Sequence, residues 1–248
     1  MLLDLVVPFY NPKPGWEERL VRRFNQLIAE HFEGNPDAVH VIIVNDGSIA
    51  NFGAKELLFL EQYIPQLKVI SYTENKGKGH ALRMGVTATR TDYCIYSDND
   101  FPFGIAAIRE MYDALQHGAD IVTGRRTQGN YFKHLPLKRR IASKGLAFIN
   151  KYLLGLPVTD TQAGIKGFNQ QGKAIFLKTT TERFLFDLEF ILIACRIEDI
   201  CIQEIDVNIV AGTKMTNFSR KILQQEFRNL ISIILRMKYK KRSGKSAR

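Results

Sequence analysis

Residues 94–100 read CIYSDND, an apolar run that stops at two aspartates one residue apart, Asp98 and Asp100. Carboxylates at that spacing suit a hard divalent cation such as Mg2+ or Mn2+, which prefers carboxylate oxygens alongside substrate phosphates. The same triplet, with Asn99 in the middle, also serves as an ordinary turn, because Asp and Asn side chains bond their own backbone. Another acid, Asp46, stands in Asn45-Asp46-Gly47-Ser48 behind the apolar run VIIV. Its carboxylate can accept from a base N–H or a ribose hydroxyl; the alternative is a turn in which Ser48 caps the next helix. From Asn75 to Gly85 the chain reads NKGKGHALRMG, with glycines that let backbone approach a ligand and Lys76 and Lys78 beside them. Neither the G-K-S/T of a phosphate loop nor the G-x-G-x-x-G of a dinucleotide fingerprint is present. Arg125 and Arg126 are followed by Lys133, Lys138, Arg139, Arg140 and Lys144. That run suits phosphate recognition or a solvated basic helix face. His80 and His134 lack a matching acid or second histidine and are not read as metal ligands.

These groups need elements to carry them. Apolar runs alternate with helical spacing through residue 125. LLDLVVPF, VHVIIVND, KVISYTEN, DYCIYSD and ADIVTG read as strands. The segments beginning at Trp16, Ala54, Lys78 and Gly104 read as helices. Continuous apolar strands separated by helices predict an α/β, doubly wound, mostly parallel sheet covered on both faces. Such sheets bind ligands at the carboxyl ends of their strands, and PFYN, NDGS, SDND and TGRR all fall there. Further along, LKRRIASKGLAFINKYLLGL predicts a helix, DTQAGIKGFN a loop entering a short strand, FDLEFILIACRI an apolar helix carrying acids, and CIQEIDVNIV a strand. An amphipathic helix is predicted from about Asn217 to Met237. With no internal repeat or low-complexity linker, this is one domain over 1–216 and an amphipathic, basic appendage over 217–248.

The totals bound the class. The chain of 248 residues is 45% hydrophobic, ordinary for a globular protein with a real core. Cys94, Cys195 and Cys201 form no metal spacing, and buried free thiols in a reducing compartment are expected. The opening MLLDLVVPFY has no basic n-region, so no signal peptide is expected, and no run of about 18 apolar residues predicts a membrane span. A formal charge of +10 points to acidic partners, and KYKKRSGKSAR at the end holds six of the basic residues. Nucleic acid is disfavoured because the aromatics lie in apolar runs, not between basic residues. A dehydrogenase is disfavoured because Asn11-Pro12-Lys13-Pro14 stands where its glycine fingerprint belongs.

VVPFYN, VNDGS, NKGKGHALRMG and YSDND, in that order, resemble the family 2 glycosyltransferases, which have a nucleotide-sugar-binding GT-A type domain. TGRR, DTQAGIKGF, RFLFDLEF and DVNIVAGTK resemble the branch that moves a sugar onto polyprenyl or dolichyl phosphate, most closely the dolichyl-phosphate glucosyltransferase type. The resemblance covers roughly residues 3–215. It implies donor binding by Pro8, Tyr10, Asn11, Asp46, Gly47, Ser48, Asn75, Lys78, Gly79, Asn99 and Lys214. It places Asp98 and Asp100 at a divalent metal (Mg2+ or Mn2+) and the donor diphosphate, with Asp160 and Gln162 lining the sugar and reaction centre. Arg126, Arg183 and Lys214 would face phosphates of donor or acceptor. The implied reaction is inverting transfer, glucose from UDP-glucose being favoured, onto a polyprenyl phosphate lipid. It would take place at an anionic membrane surface, with the enzyme cytoplasmic and peripheral at the inner face. The alternative is a hydroxyl acceptor in cell-surface polysaccharide assembly. A homo-oligomer is left open. The chain departs from the family pattern at Pro12-Lys13, where an acid is usual, at Ala163, where Cys is common, and at Phe101-Pro102-Phe103, which adds no polar ligand.

Overall fold

The structure, a computed structural model, describes residues 2–126, 145, 155–210 and 229–233. In chain order the elements are β1 (Leu3–Phe9), α1 (Trp16–His31), a 3-10 turn (Pro36–Ala38), β2 (Val39–Asp46), α2 (Ala54–Tyr63), β3 (Leu67–Tyr72), α3 (Lys78–Thr87), β4 (Tyr93–Ser97), α4 (Ala106–Gln116), β5 (Ile121–Arg126), β6 (Ile165–Phe168), α5 (Gln170–Phe176), α6 (Phe186–Ala194) and β7 (Ile202–Val207). They form a seven-stranded sheet in the order β3-β2-β1-β4-β6-β5-β7. Neighbours pair in parallel except β6, which runs antiparallel to both β4 and β5. Strand order turns back at β1, between β2 and β4, which is where such sheets open a crevice at their carboxyl ends.

The strands are apolar throughout because each of their faces is covered. Leu5, Val7, Phe9, Val41, Ile43 and Ile95 join the cluster that includes buried residues of α1 and α4, while Val6, Ile42, Val44, Cys94 and Tyr96 join the cluster under α3, α5 and α6. Alternate side chains point to opposite faces, and here both faces are core. α6 is apolar around its circumference and correspondingly buried, with Asp187 and Glu189 buried among its hydrophobic neighbours.

Two features differ from the sequence-based expectation. α5 has no long apolar stripe to announce it; it starts because Asn169 accepts from the backbone N–H groups of Gln171 and Gly172. The cysteines are not uniformly buried: Cys94 is, but Cys195 and Cys201 are exposed, one at the C-cap of α6 and the other just before the edge strand β7. The helix expected over 137–156 lies almost wholly outside the described residues, as do most of 217–248. Of the latter, 229–233 is helical; Leu230 and Ile233 pack against the second cluster while Ile231 stays 44% exposed. No helix among the described residues is long and apolar enough to cross a membrane.

Candidate active site

The loops after β1 and β2 are tied together at the rim. The Asn11 backbone N–H donates to Ser48 Oγ at 2.9 Å, and the Ile49 N–H returns a bond to Asn11 Oδ1 at 2.9 Å. Ser48 therefore joins two loops and does not cap α2, whose N-cap is Gly53. Pro8 sits inside β1 opposite Val44, and Tyr10 projects from the rim, 52% exposed.

Asp46, at the end of β2, is buried, and both its carboxylate oxygens are bonded within the chain. Oδ1 takes the Tyr72 hydroxyl at 2.9 Å and the Lys76 N–H at 2.8 Å; Oδ2 takes Asn75 Nδ2 at 2.8 Å and the Gly77 N–H at 2.9 Å. This carboxylate thus organises the 75–77 loop. Burial, then the Asp46 carboxylate, push the Tyr72 phenol well above its ordinary range. Gly47 is glycine because its φ is +69° and a Cβ there would lie 2.6 Å from the Asn75 nitrogen.

Gly77 and Gly79 correct one expectation. A Cβ on either would meet backbone at 2.6 Å (Glu182 O) or 2.4 Å (Thr181 O), so in this structure the glycines admit the chain's own 181–182 segment. The first turn of α3 is closed by that segment: Gly79 and His80 N–H groups donate to Glu182 O at 2.7 and 3.2 Å. Glu189, buried on α6, holds the segment in place by accepting from the N–H groups of Thr180 and Thr181. Arg183 follows directly. It is half-buried and has no hydrogen-bond or ion-pair partner among the described residues.

Asp98 and Asp100 follow β4. Lys78 Nζ lies 2.5 Å from Asp98 Oδ1. Burial works against the Lys78 ammonium, but Asp98 and then Asp187 outweigh it and raise its pKa. Asp100 is raised by desolvation and by the charge of Asp98. A second carboxylate beside Asp100 and its burial are the electrostatic condition a hard cation relieves, so the donor chemistry fits Mg2+ or Mn2+. No group of three or more His, Cys, Asp or Glu surrounds them among the described residues. Substrate phosphate and water can complete the shell of an ion held by these two carboxylates.

The DTQAG loop meets this pair from across the rim. Gly164 lies so close that a Cβ would stand 2.3 Å from Asp98 Oδ2. At the loop's start Asp160 accepts two bonds from the Arg126 guanidinium, Nε to Oδ2 at 2.6 Å and Nη2 to Oδ1 at 2.8 Å. Arg125 pairs with Asp206 at 2.6 Å. Both arginines of TGRR are thus engaged by acids of this chain. Gln162 carries a buried Nε2 with no hydrogen-bond partner among the described residues. Beneath the loop lies a charge that the reading of motifs passed over: Lys166, fully buried, is 2.7 Å from Asp187 Oδ1, which also accepts the Tyr96 hydroxyl. The available signals were a lysine in the apolar strand IKGF and acids in an apolar helix. Asn75, Asp98, Asn99, Asp100, Asp160 and Gln162 fall on the loops just described and Lys78 and Gly79 on the first turn of α3, whereas Lys214, His134 and the lysines and arginines from 133 to 144 lie outside the described residues.

A mostly parallel sheet with one antiparallel strand slotted between β4 and β5, and acids on the rim where strand order turns, is the architecture of the GT-A fold. The chain belongs to glycosyl transferase family 2, whose model matches residues 4–174. It is 28% identical over 235 residues to a dolichyl-phosphate beta-glucosyltransferase of Mus musculus, covering 87% of this chain and 70% of that protein. To the protein of the same description from Dictyostelium discoideum it is 25% identical over 251 residues, 93% of this chain and 76% of the other. The fold matches glucosyl-3-phosphoglycerate synthase from Mycobacterium tuberculosis, solved with Mn2+, uridine diphosphate and phosphoglyceric acid: TM-score 0.64, 15% identity, 95% of this chain and 78% of that one.

Proposed function

We propose that this glycosyltransferase moves a sugar, glucose by preference, from UDP-glucose to the phosphate of a polyprenyl lipid, with inversion at the anomeric carbon. The relatives named above support the sugar and the acceptor class. The observation that carries the acceptor is the pairing of Asp160 with Arg126. Burial alone would raise the Asp160 carboxyl, but Arg126 reverses that and holds it below the usual range. A hydroxyl acceptor needs a general base with a pKa near the working pH, and Asp160 is a poor one. A phosphate monoester needs none, being mostly dianionic near neutrality with a second pKa of about 6.

One acceptor oxygen attacks the anomeric carbon while the bond to the UDP oxygen breaks on the opposite face. Asp98 and Asp100 would hold a divalent ion on the donor diphosphate. When bound, that ion neutralises the charge left on the diphosphate. Arg183, unengaged among the described residues, offers a guanidinium to a phosphate, and the Gln162 amide, unpartnered among them too, offers a donor to a sugar hydroxyl. Tyr10, Asn11, Ser48 and Asp46 border the nucleoside end of the rim. The enzyme would work peripherally at the inner face of a membrane, its basic C-terminal residues on anionic lipid. Incubation with UDP-sugars and either undecaprenyl phosphate or a panel of sugar acceptors, read by mass spectrometry, tests this. Glycosylated lipid phosphate is the expected product; turnover with hydroxyl acceptors alone would overturn the assignment.

A further inference from the structure

Lys166 stands on β6 in register with Tyr96 on β4 and Thr123 on β5, without solvent exposure. An ammonium has three protons to donate. Here the acceptors are Asp187 Oδ1 at 2.7 Å, Ala163 O at 2.9 Å and Thr161 O at 3.1 Å. Burying such a pair is costly, and apolar residues of the same volume often serve stability as well or better. A strand that needed only filling would do with Met or Leu. What the ammonium adds is a hold on the backbone carbonyls on either side of Gln162.

That loop is fixed at three places. Arg126 grips Asp160 at its start, Lys166 grips the carbonyls of 161 and 163, and Gly164 is pressed on Asp98. The counter-ion Asp187 lies in the first turn of α6, where the helix N-terminus favours a carboxylate.

We propose that Lys166, with Asp187 as counter-ion, is a positioning residue for sugar transfer, setting through the carbonyls of Thr161 and Ala163 where Asp160 and Gln162 stand relative to Asp98. This rests on the proposed function only in taking the 160–164 loop as the sugar-facing wall.

The test uses the neutral pair Lys166→Met/Asp187→Asn, because Lys166→Met alone strands a buried carboxylate and is prone to unfold. Three readouts are compared with wild type: donor binding by titration with UDP-glucose, steady-state turnover, and hydrogen exchange of the peptide spanning 160–164. The double variant is expected to fold, to bind donor within about twofold, to exchange faster in that peptide alone, and to lose about tenfold to a hundredfold in kcat, as misplaced reacting groups do. Wild-type kcat together with wild-type exchange would show that Lys166 merely balances Asp187, and a double variant that cannot fold would make the pair structural; either result overturns the proposal. Failure of the wild type to glycosylate a polyprenyl phosphate would instead defeat the functional reading. The exchange comparison, which needs no substrate, would still decide whether Lys166 holds the loop.

Discussion

Arg126 and Asp160 form a two-pronged pair, Nε to Oδ2 at 2.6 Å and Nη2 to Oδ1 at 2.8 Å, that joins the end of β5 to the start of the DTQAG loop. Both side chains are largely buried, at 14% and 15% exposure. Removing one partner leaves the other charge uncompensated, and Arg126→Ala should cost toward the lower end of about 3–5 kcal/mol at pH 7. The folded-state pKa of Asp160 is lowered, so its stabilising contribution is full above the ordinary Asp value of about 3.9 and lost as pH falls through the lowered one. Melting curves of wild type and Arg126→Ala should therefore draw together as pH falls from about 4 toward the lowered pKa. A gap that stays constant over that range would disprove the linkage.

Asp98 and Asp100 should separate in stability while agreeing in activity. Asp100→Asn removes a carboxylate raised by desolvation and by its neighbour, so melting should be unchanged or slightly higher. Asp98→Asn takes from Lys78 its partner at 2.5 Å and should melt earlier. Both should abolish turnover that depends on Mg2+ or Mn2+. Full wild-type activity in a chelator would refute the metal assignment.

Arg183→Ala removes no ion pair among the described residues, where Asp187 is engaged by Lys166 and Tyr96, and Glu189 by the 180–181 backbone. Its stability should stay within about 0.5 kcal/mol of wild type. A charge-assisted bond to phosphate contributes roughly 1.5–3 kcal/mol, so turnover should fall by about tenfold to a hundredfold. An unstable Arg183→Ala protein with normal turnover would show that the side chain serves packing instead.

Near the C-terminus, Ile233 and Ile231 should report different surroundings. Ile233 is 1% exposed in the cluster under α3 and α6, and Ile233→Ala should cost about 2–5 kcal/mol. Ile231 is 44% exposed, and Ile231→Ser should leave melting within about 0.5 kcal/mol while weakening retention on anionic vesicles. Truncation after Asn217 removes Ile233 with the rest and should lower the melting temperature. Equal vesicle binding by wild type and Ile231→Ser would remove this residue from any membrane-facing surface.

Much of the fold was legible because its signals are local. β2 and α2 begin and end where their apolar runs and helical spacing do, at Val39–Asp46 and Ala54–Tyr63. The strand-end acids were legible for the same reason, since a carboxylate just past a buried strand has to stand at the rim. α5 was not, because its start depends on one capping side chain, Asn169. The insertion of β6 antiparallel between β4 and β5 was not either, since strand pairing joins residues as far apart as Cys94 and Phe168.

The amino-acid sequence by itself determined the family, the α/β layers and the rim on which Asp46, Asp98, Asp100 and Asp160 gather, because periodicity and motif order are properties of neighbouring residues. Only the tertiary structure decided how those charges are used. Asp46 holds the 75–77 loop, Asp160 holds Arg126, Lys78 holds Asp98, and Lys166 with Asp187 anchors the loop between them. An ionic partner is chosen by distance in space and by the burial that makes an unpaired charge intolerable, and neither is written in residues 20 to 34 positions apart along the chain.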